Sequence, residues 1–222
     1  MVKINGEGSR TYSYGCKNCI YIWKQVMKIV VATNNEHKLK EIRDAYSGVP
    51  VIFLSLNDVG IQVDPIENGE TYLENAIIKA SAVAKLTNLP VLADDSGIEI
   101  EELGEHAPGI FTSRFAKSNG GQEATNKMLV KKVPNSKARF ICDLALLNVV
   151  PNEVVHFEGI FEGKISEMIE GEKGFGYDPI FIPVGYEHTV ATLPEDIKNK
   201  ISHRGQALKK LYEFLNKGGY LN

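Results

Sequence analysis

The sequence has no long uninterrupted hydrophobic run, little cysteine and no excess of either charge, and each absence removes a class of protein. The only early apolar stretch, "CIYIWKQVMKIVVA", is broken by Lys24, Gln25 and Lys28, which excludes a hydrocarbon-spanning helix. It also lacks the continuous core and small-residue cleavage site of a secretory signal, so a cytoplasmic protein is expected. The 25 basic and 28 acidic residues leave a net charge of −3, so no global field draws nucleic acid or an anionic membrane. Any polyanion must therefore be bound by a local site. Of the three cysteines, Cys16 and Cys19 form "CKNC", a spacing that serves zinc or redox chemistry. No second Cys/His pair at metal-site spacing follows, and they are read as free thiols. Cys142, inside "ARFICDLALLNVV", reads as a small core residue. There is no internal repeat, no low-complexity segment, no G-x-x-x-x-G-K followed by Ser or Thr, and no nucleophile elbow for a covalent triad.

What is present is an alternation of strands and helices. Residues 1–26 show no clear period, and "MKIVVATNN" begins directly in a strand at Met27, so 1–26 is treated as an N-terminal extension of uncertain origin. Residues 27–222 are expected to form a single two-lobed domain. "KIVVA", "VPVIFLS", "VLADDSGIEI", "ARFICDLALLNVV" and "EVVHFEGIFEGKI" read as strands. "EHKLKEIRDAY" places Leu39, Ile42 and Tyr46 on one helical face, and residues 70–87 place Leu73, Ala76, Ile77, Ala80 and Val83 likewise. "QEATNKMLVKKV" and a segment from Ser202 to Leu215 supply further helices. The fold class is α/β, a twisted mixed sheet flanked by helices, with two lobes and a central cleft.

The polar residues at the ends of these elements carry the chemistry. "VLADDSG" sets Asp94 and Asp95 side by side at a buried strand, which demands a positive partner. "ATNNEHK" ends a strand and starts a helix, where free N–H groups and the dipole favour an anion; Lys38 can reach back to the same point. Capping alone also explains Thr33 and Asn35. In "IENGETYLENAIIKA", Thr71, Asn75 and Lys79 form one polar stripe, and Glu74 and Lys79 are expected to solvate the helix, the default for such charges. Glu67, in the preceding loop, adds a third carboxylate that with Asp94 and Asp95 suits Mg²⁺, a hard cation that keeps waters and phosphate oxygens in its shell. "GEKGFGYDPIFIP" offers the flat faces of Phe175 and Tyr177 on either side of Gly176, with Asp178 and Pro179 fixing the next turn; this suits a heterocyclic base, or else anchors a strand. In "EDIKNKISHRGQAL", Ser202 caps the last helix and puts His203 and Arg204 in its first turn, where a bound anion would offset the dipole. Lys198 lies just before.

These features together are those of a nucleoside triphosphate site. From Lys28 to about Leu215 the chain resembles the inosine triphosphate pyrophosphatases, on "ATNNEHK", "GETYLENAIIKA", "ADDSG", "APGIFTSRFA", "FGYDP" and "ISHRGQAL" in that order. The resemblance implies hydrolysis of ITP, dITP or XTP to the monophosphate and pyrophosphate with Mg²⁺, in a homodimer. It assigns the phosphates to Thr33, Asn34, Asn35, Glu36, His37 and Lys38, the metal to Glu67 and Asp95, and catalysis to Asp95 as general base, supported by Asp94 and Lys38. Ser96, Phe175, Gly176, Tyr177, Asp178, Lys198, His203 and Arg204 complete the substrate contacts. Asn34, His37 and "TSRFAK" depart mildly from the family pattern. Three other readings stand beside it. One is the related Maf-like pyrophosphatases, from which "FGYDP" and "ISHR" point away. Another is a nucleotide sensor without turnover, against which the three carboxylates argue. The third is a nucleic-acid-binding module, disfavoured by the negative charge and scattered cations.

Overall fold

The computed structural model describes residues 26–221, so "CKNC" and nearly all of the N-terminal extension lie outside the described residues. Six strands form one mixed sheet: β1 (Met27–Val31), β2 (Val51–Leu54), β3 (Val91–Ile100), β4 (Lys137–Leu147), β5 (Val155–Ile165) and β6 (Phe181–Pro183), in spatial order β2-β1-β3-β4-β5-β6. The β2/β1 and β1/β3 pairs are parallel and the remainder antiparallel. The expected α/β architecture is observed. The helices are α1 (Glu36–Ala45), α2 (Tyr72–Ala84), α3 (Thr112–Ser118), α4 (Gln122–Lys132), α5 (Glu195–Ile201) and α6 (His203–Lys217). The short α3 and α5 carry too few turns to show a period in the sequence, whereas β6 is the strand expected to follow the Asp178–Pro179 turn.

Side-chain alternation along the strands separates the cores. Ile29, Val31, Leu92, Leu144 and Leu146 face α1 and α6, meeting Leu39, Ile42, Leu208 and Leu211. Val30, Val91, Ala93 and Ala145 face the other way and pack on Ala76, Ala80 and Val83 of α2. Farther along the same long strands, Ile98, Ile100, Phe140 and Phe161 join a third cluster with Leu129 of α4 and Phe181. Strands β3 and β4 thus run from one hydrophobic lobe into another, and the polar stretch Asp94–Gly97 occupies the junction.

The start of α6 is pressed against β5. A Cβ added at Gly159 would stand 1.9 Å from the His203 carbonyl oxygen, so only glycine lets the helix approach this closely. Ser202 caps the helix as expected, its Oγ accepting a hydrogen bond from Gly205 N at 3.1 Å. No helix among the described residues is long and apolar enough to cross a membrane.

Candidate active site

A cleft of about 1010 Å³ opens at the junction of the lobes, and every residue expected from the sequence to touch substrate or metal lines it, except His37. Strand alternation decides how the acids are used. Asp94 and Asp95 are neighbours in β3 and therefore project to opposite faces of the sheet.

Asp94, fully enclosed, meets Lys38 Nζ at Oδ1 and Arg204 Nε at Oδ2, the latter at 2.7 Å. Ser96 Oγ donates to Oδ1 at 3.0 Å and Cys142 Sγ to Oδ2 at 3.1 Å. Burial alone would raise this carboxyl, but the Arg204 and Lys38 charges outweigh it and hold Asp94 well below the usual carboxylate range. Arg204 is itself pinned: Nη1 pairs with Glu41 and Nη2 donates to Ser96 Oγ at 3.0 Å. Glu41 also holds Lys198 at 2.8 Å, and Lys198 reaches Asp178 Oδ2 at 2.6 Å. Asp94 is thus the centre of a saturated buried network with no oxygen left for a cation.

Asp95 faces α2. Its Oδ1 lies 2.6 Å from Lys79 Nζ, which also reaches Glu67 Oε2 at 3.1 Å. Burial dominates here and pushes the Asp95 carboxyl up to about 6, against the pull of Lys79 and Lys38. The expectation that Lys79 is a solvating charge is corrected: the stripe of α2 packs onto the sheet, and its aliphatic stem carries the ammonium to Asp95. The three-carboxylate cluster is corrected as well. Asp94 points away, and among the described residues no three His, Cys, Asp or Glu side chains are arranged around a common metal position. Lys38, Arg204 and Lys79 are the positive partners that the "DD" pair required.

The remaining acids still fit Mg²⁺. Glu67 and Asp95 bring two hard oxygen donors to the cleft. Two such donors suit a hard cation that fills the rest of its shell with water and phosphate oxygens.

At the α1 start, Asn35 caps the helix, its Oδ1 accepting from His37 N at 3.0 Å and Lys38 N at 3.3 Å. Thr33 Oγ1 accepts from Asn35 N at 3.1 Å. With Thr33 N donating to the Val31 carbonyl at 2.9 Å, four of the N–H groups expected to meet phosphate are used within the turn, while Asn34, Glu36 and Lys38 line the cleft. The His37 ring instead lies against Phe175, with centroids 4.9 Å apart and planes at 12°.

The aromatic loop is half as expected. Phe175 presents its ring to the cleft with Lys198 Nζ 4.8 Å from its centroid, so Lys198 stands beside the aromatic plate. Tyr177 does not offer a second plate. Gly176, at φ 65°, turns it away into the hydrophobic cluster, where its hydroxyl donates to the Thr112 carbonyl at 3.1 Å. The Gly176 carbonyl accepts from Asn126 Nδ2 at 3.0 Å, and Asp178 Oδ2 accepts from Phe175 N at 2.8 Å, fixing the loop. His203 stacks on Phe140, and its buried Nδ1 has no partner among the described residues.

Sequence reasoning missed Glu41, Lys79, Arg114 and Lys117. Glu41 sits three residues after Lys38, on the same helical stripe, which was a readable signal. Arg114 lies over the Phe111 ring at 4.4 Å, and neither it nor Lys117 makes an ion pair among the described residues, although both line the cleft.

Comparison with known proteins finds relatives of the whole domain. A family model described as the Ham1 family matches residues 29–214. The chain is 40% identical over 196 residues to a dITP/XTP pyrophosphatase of Caldanaerobacter subterraneus subsp. tengcongensis, covering 86% of this chain and 98% of that one. It is 41% identical over 191 residues to the Bacillus subtilis protein of the same name, covering 84% and 96%. A solved HAM1 protein from Coxiella burnetii superposes with a TM-score of 0.76 at 37% identity, covering 86% of this chain and 99% of that one.

Proposed function

The chain belongs to the Ham1 family, and we propose that it hydrolyses deaminated purine nucleoside triphosphates (ITP, dITP and XTP) to the monophosphate and pyrophosphate. The observation that carries this reading is the placing of an aromatic plate, Phe175, and a Lys79-bridged carboxylate pair, Glu67 and Asp95, in one cleft. A base stacked on the plate leaves its triphosphate to run toward the carboxylates and Lys38.

Glu67 and Asp95 are the residues that would hold Mg²⁺, which when bound supplies charge neutralisation and a more acidic water. Asp95, buried and raised to about 6, is suited to accept the proton of the attacking water near neutral pH. Lys38, fixed by Asp94, faces the charge that develops on the departing pyrophosphate, and Arg114 and Lys117 add uncompensated positive charge to the cleft wall. The Asp94–Arg204–Glu41–Lys198 network holds these groups rigid.

Selection follows from polarity at the purine edge. Hypoxanthine and xanthine present a 6-oxo acceptor where adenine presents a donor, so donors at that edge reject ATP by being left unpaired. Lys198 stands at the plate, and His203 is the one cleft-lining side chain with an unpartnered buried nitrogen among the described residues. A cytoplasmic homodimer is part of the same proposal, supported by the family resemblance.

The test is pyrophosphate release with Mg²⁺ from ITP, dITP and XTP against ATP, GTP and a modified pyrimidine triphosphate. Fast turnover confined to the first three is expected. A flat profile, or none, overturns the reading in favour of a Maf-like specificity or a sensor.

A further inference from the structure

His37 belongs to the polar start of α1, yet it is the one residue of that start that does not line the cleft. Its ring is stacked on Phe175, parallel within 12° at 4.9 Å, while Lys198 and Arg204, which do line the cleft, approach the same ring at 4.8 and 5.9 Å. Phe175, itself a cleft-lining residue, is therefore a plate backed by an exposed imidazole from a helix 138 positions earlier (175 − 37). The backbone of the loop that carries Phe175 is pinned, with Phe175 N donating to Asp178 and the Gly176 carbonyl accepting from Asn126, but Gly174 and Gly176 flank the residue at φ 76° and 65° and neither brings a side chain to pack on its ring. With glycine on both sides, the ring's direction is set by what it packs on.

We propose that His37 is a positioning residue for base recognition: by bracing the rear face of Phe175 it aims the front face into the cleft and ties the base plate to the helix that begins at the phosphate end. This rests on the reading of the cleft as a purine nucleoside triphosphate site. The requirement at 37 is a flat ring and not a titrating or hydrogen-bonding group, because the contact is face to face and the His37 backbone N–H is already used by the Asn35 cap. A base-bearing ligand feels the brace, whereas a ligand that is phosphate alone does not.

The experiment compares the full-length wild-type chain with His37→Ala and His37→Phe. Three quantities are read: KM and kcat for ITP, and the inhibition constant of inorganic tripolyphosphate, which reports the phosphate end without a base. His37→Ala is expected to raise KM for ITP about three- to tenfold, the worth of one aromatic stack, with kcat within about twofold. The tripolyphosphate constant is expected to stay put, and His37→Phe to restore the wild-type KM. Equal rises in KM and in the tripolyphosphate constant would make His37 a phosphate or helix-start residue and overturn the proposal. An unchanged KM in His37→Ala, or no rescue by His37→Phe, also overturns it. Failure of the underlying functional reading shows separately, as absence of ITP turnover in the wild-type chain, and takes this inference with it.

Discussion

Lys79 Nζ stands 2.6 Å from Asp95 Oδ1, on the side of the sheet opposite the network that neutralises Asp94. Two adjacent acids are thereby given separate surroundings, one enclosed in an ion network and one facing the cleft beside Lys79. Asp95→Asn removes the proposed proton acceptor while keeping the shape of the side chain and sparing the fold a buried carboxylate whose ionisation burial opposes. Turnover of ITP should fall about 10²- to 10⁴-fold, the usual worth of a general base. The melting temperature should stay within about 4 °C of wild type. Retained turnover in a folded variant removes Asp95 from the catalytic role.

Glu41 lies between two buried cations, Lys198 and Arg204, and its removal leaves both underneutralised. Glu41→Gln should cost about 3 kcal/mol in urea unfolding at pH 7, as breaking one partner of a buried pair does. Burial works to raise the Glu41 carboxyl, but the Arg204 and Lys198 charges prevail and lower it below 4.5. A lowered carboxyl stabilises the fold fully above its unfolded value and loses that contribution as pH falls through the folded value. The gap between wild type and variant should therefore persist down to pH 4.5 and close only below it.

These two acids also mark what a linear reading can reach. The small and apolar residues that lead into the paired carboxylates single out Asp94 and Asp95 without any structure, and the order of motifs points to the family. Which cation meets which acid is not local information: Glu41 and Arg204 are 163 positions apart, and Lys38 and Asp94 are 56 apart. A lysine on a helix is solvated more often than buried, so Lys79 reads from the sequence as a solvating charge, and only the packing of α2 on the sheet brings it to Asp95. Tyr177 failed for a related reason. An aromatic beside glycine reads equally as a ligand plate or a core anchor, and only its buried hydroxyl contact to Thr112 separates the two. The short α3, which delivers Arg114 and Lys117 to the cleft, is below the length at which a helical period is legible.

His203 is buried and stacked on Phe140, with burial first and the Arg204 charge second holding its imidazole well below 6.5. The folded chain keeps it neutral while the unfolded chain takes up a proton near 6.5. Stability then rises with pH across that region and is lost as pH falls below about 6.5, by up to about 1.4 kcal/mol per pH unit for one proton. His203→Phe keeps the stack and cannot titrate. Urea midpoints from pH 7.5 to 5.5 should fall more steeply for wild type than for this variant; parallel curves would show that His203 titrates normally. The same variant should lose affinity for ITP, because the unpartnered Nδ1 is gone.

Gly159 makes the sharpest link between the sheet and the cleft. Its missing side chain lets the α6 start lie directly on β5, and a methyl group there would fall 1.9 Å from the His203 carbonyl and 2.8 Å from Ala207 N. Both are backbone atoms, so no rotamer change relieves the clash and the helix itself must move. Gly159→Ala should destabilise by about 1 to 3 kcal/mol, the range for overpacking a tight contact. The kinetic cost should exceed what that stability loss explains, because the displaced turn carries His203 and Arg204. Arg204 binds Asp94, Glu41 and Ser96 through distances that a shift of even 1 Å breaks. At a temperature where the variant is fully folded, kcat/KM for ITP should drop at least tenfold, since a misplacement of about 1 Å costs on the order of 10²-fold in a positioned site. Wild-type kinetics in a folded Gly159→Ala protein would show that α6 can rise from the sheet without disturbing the cleft.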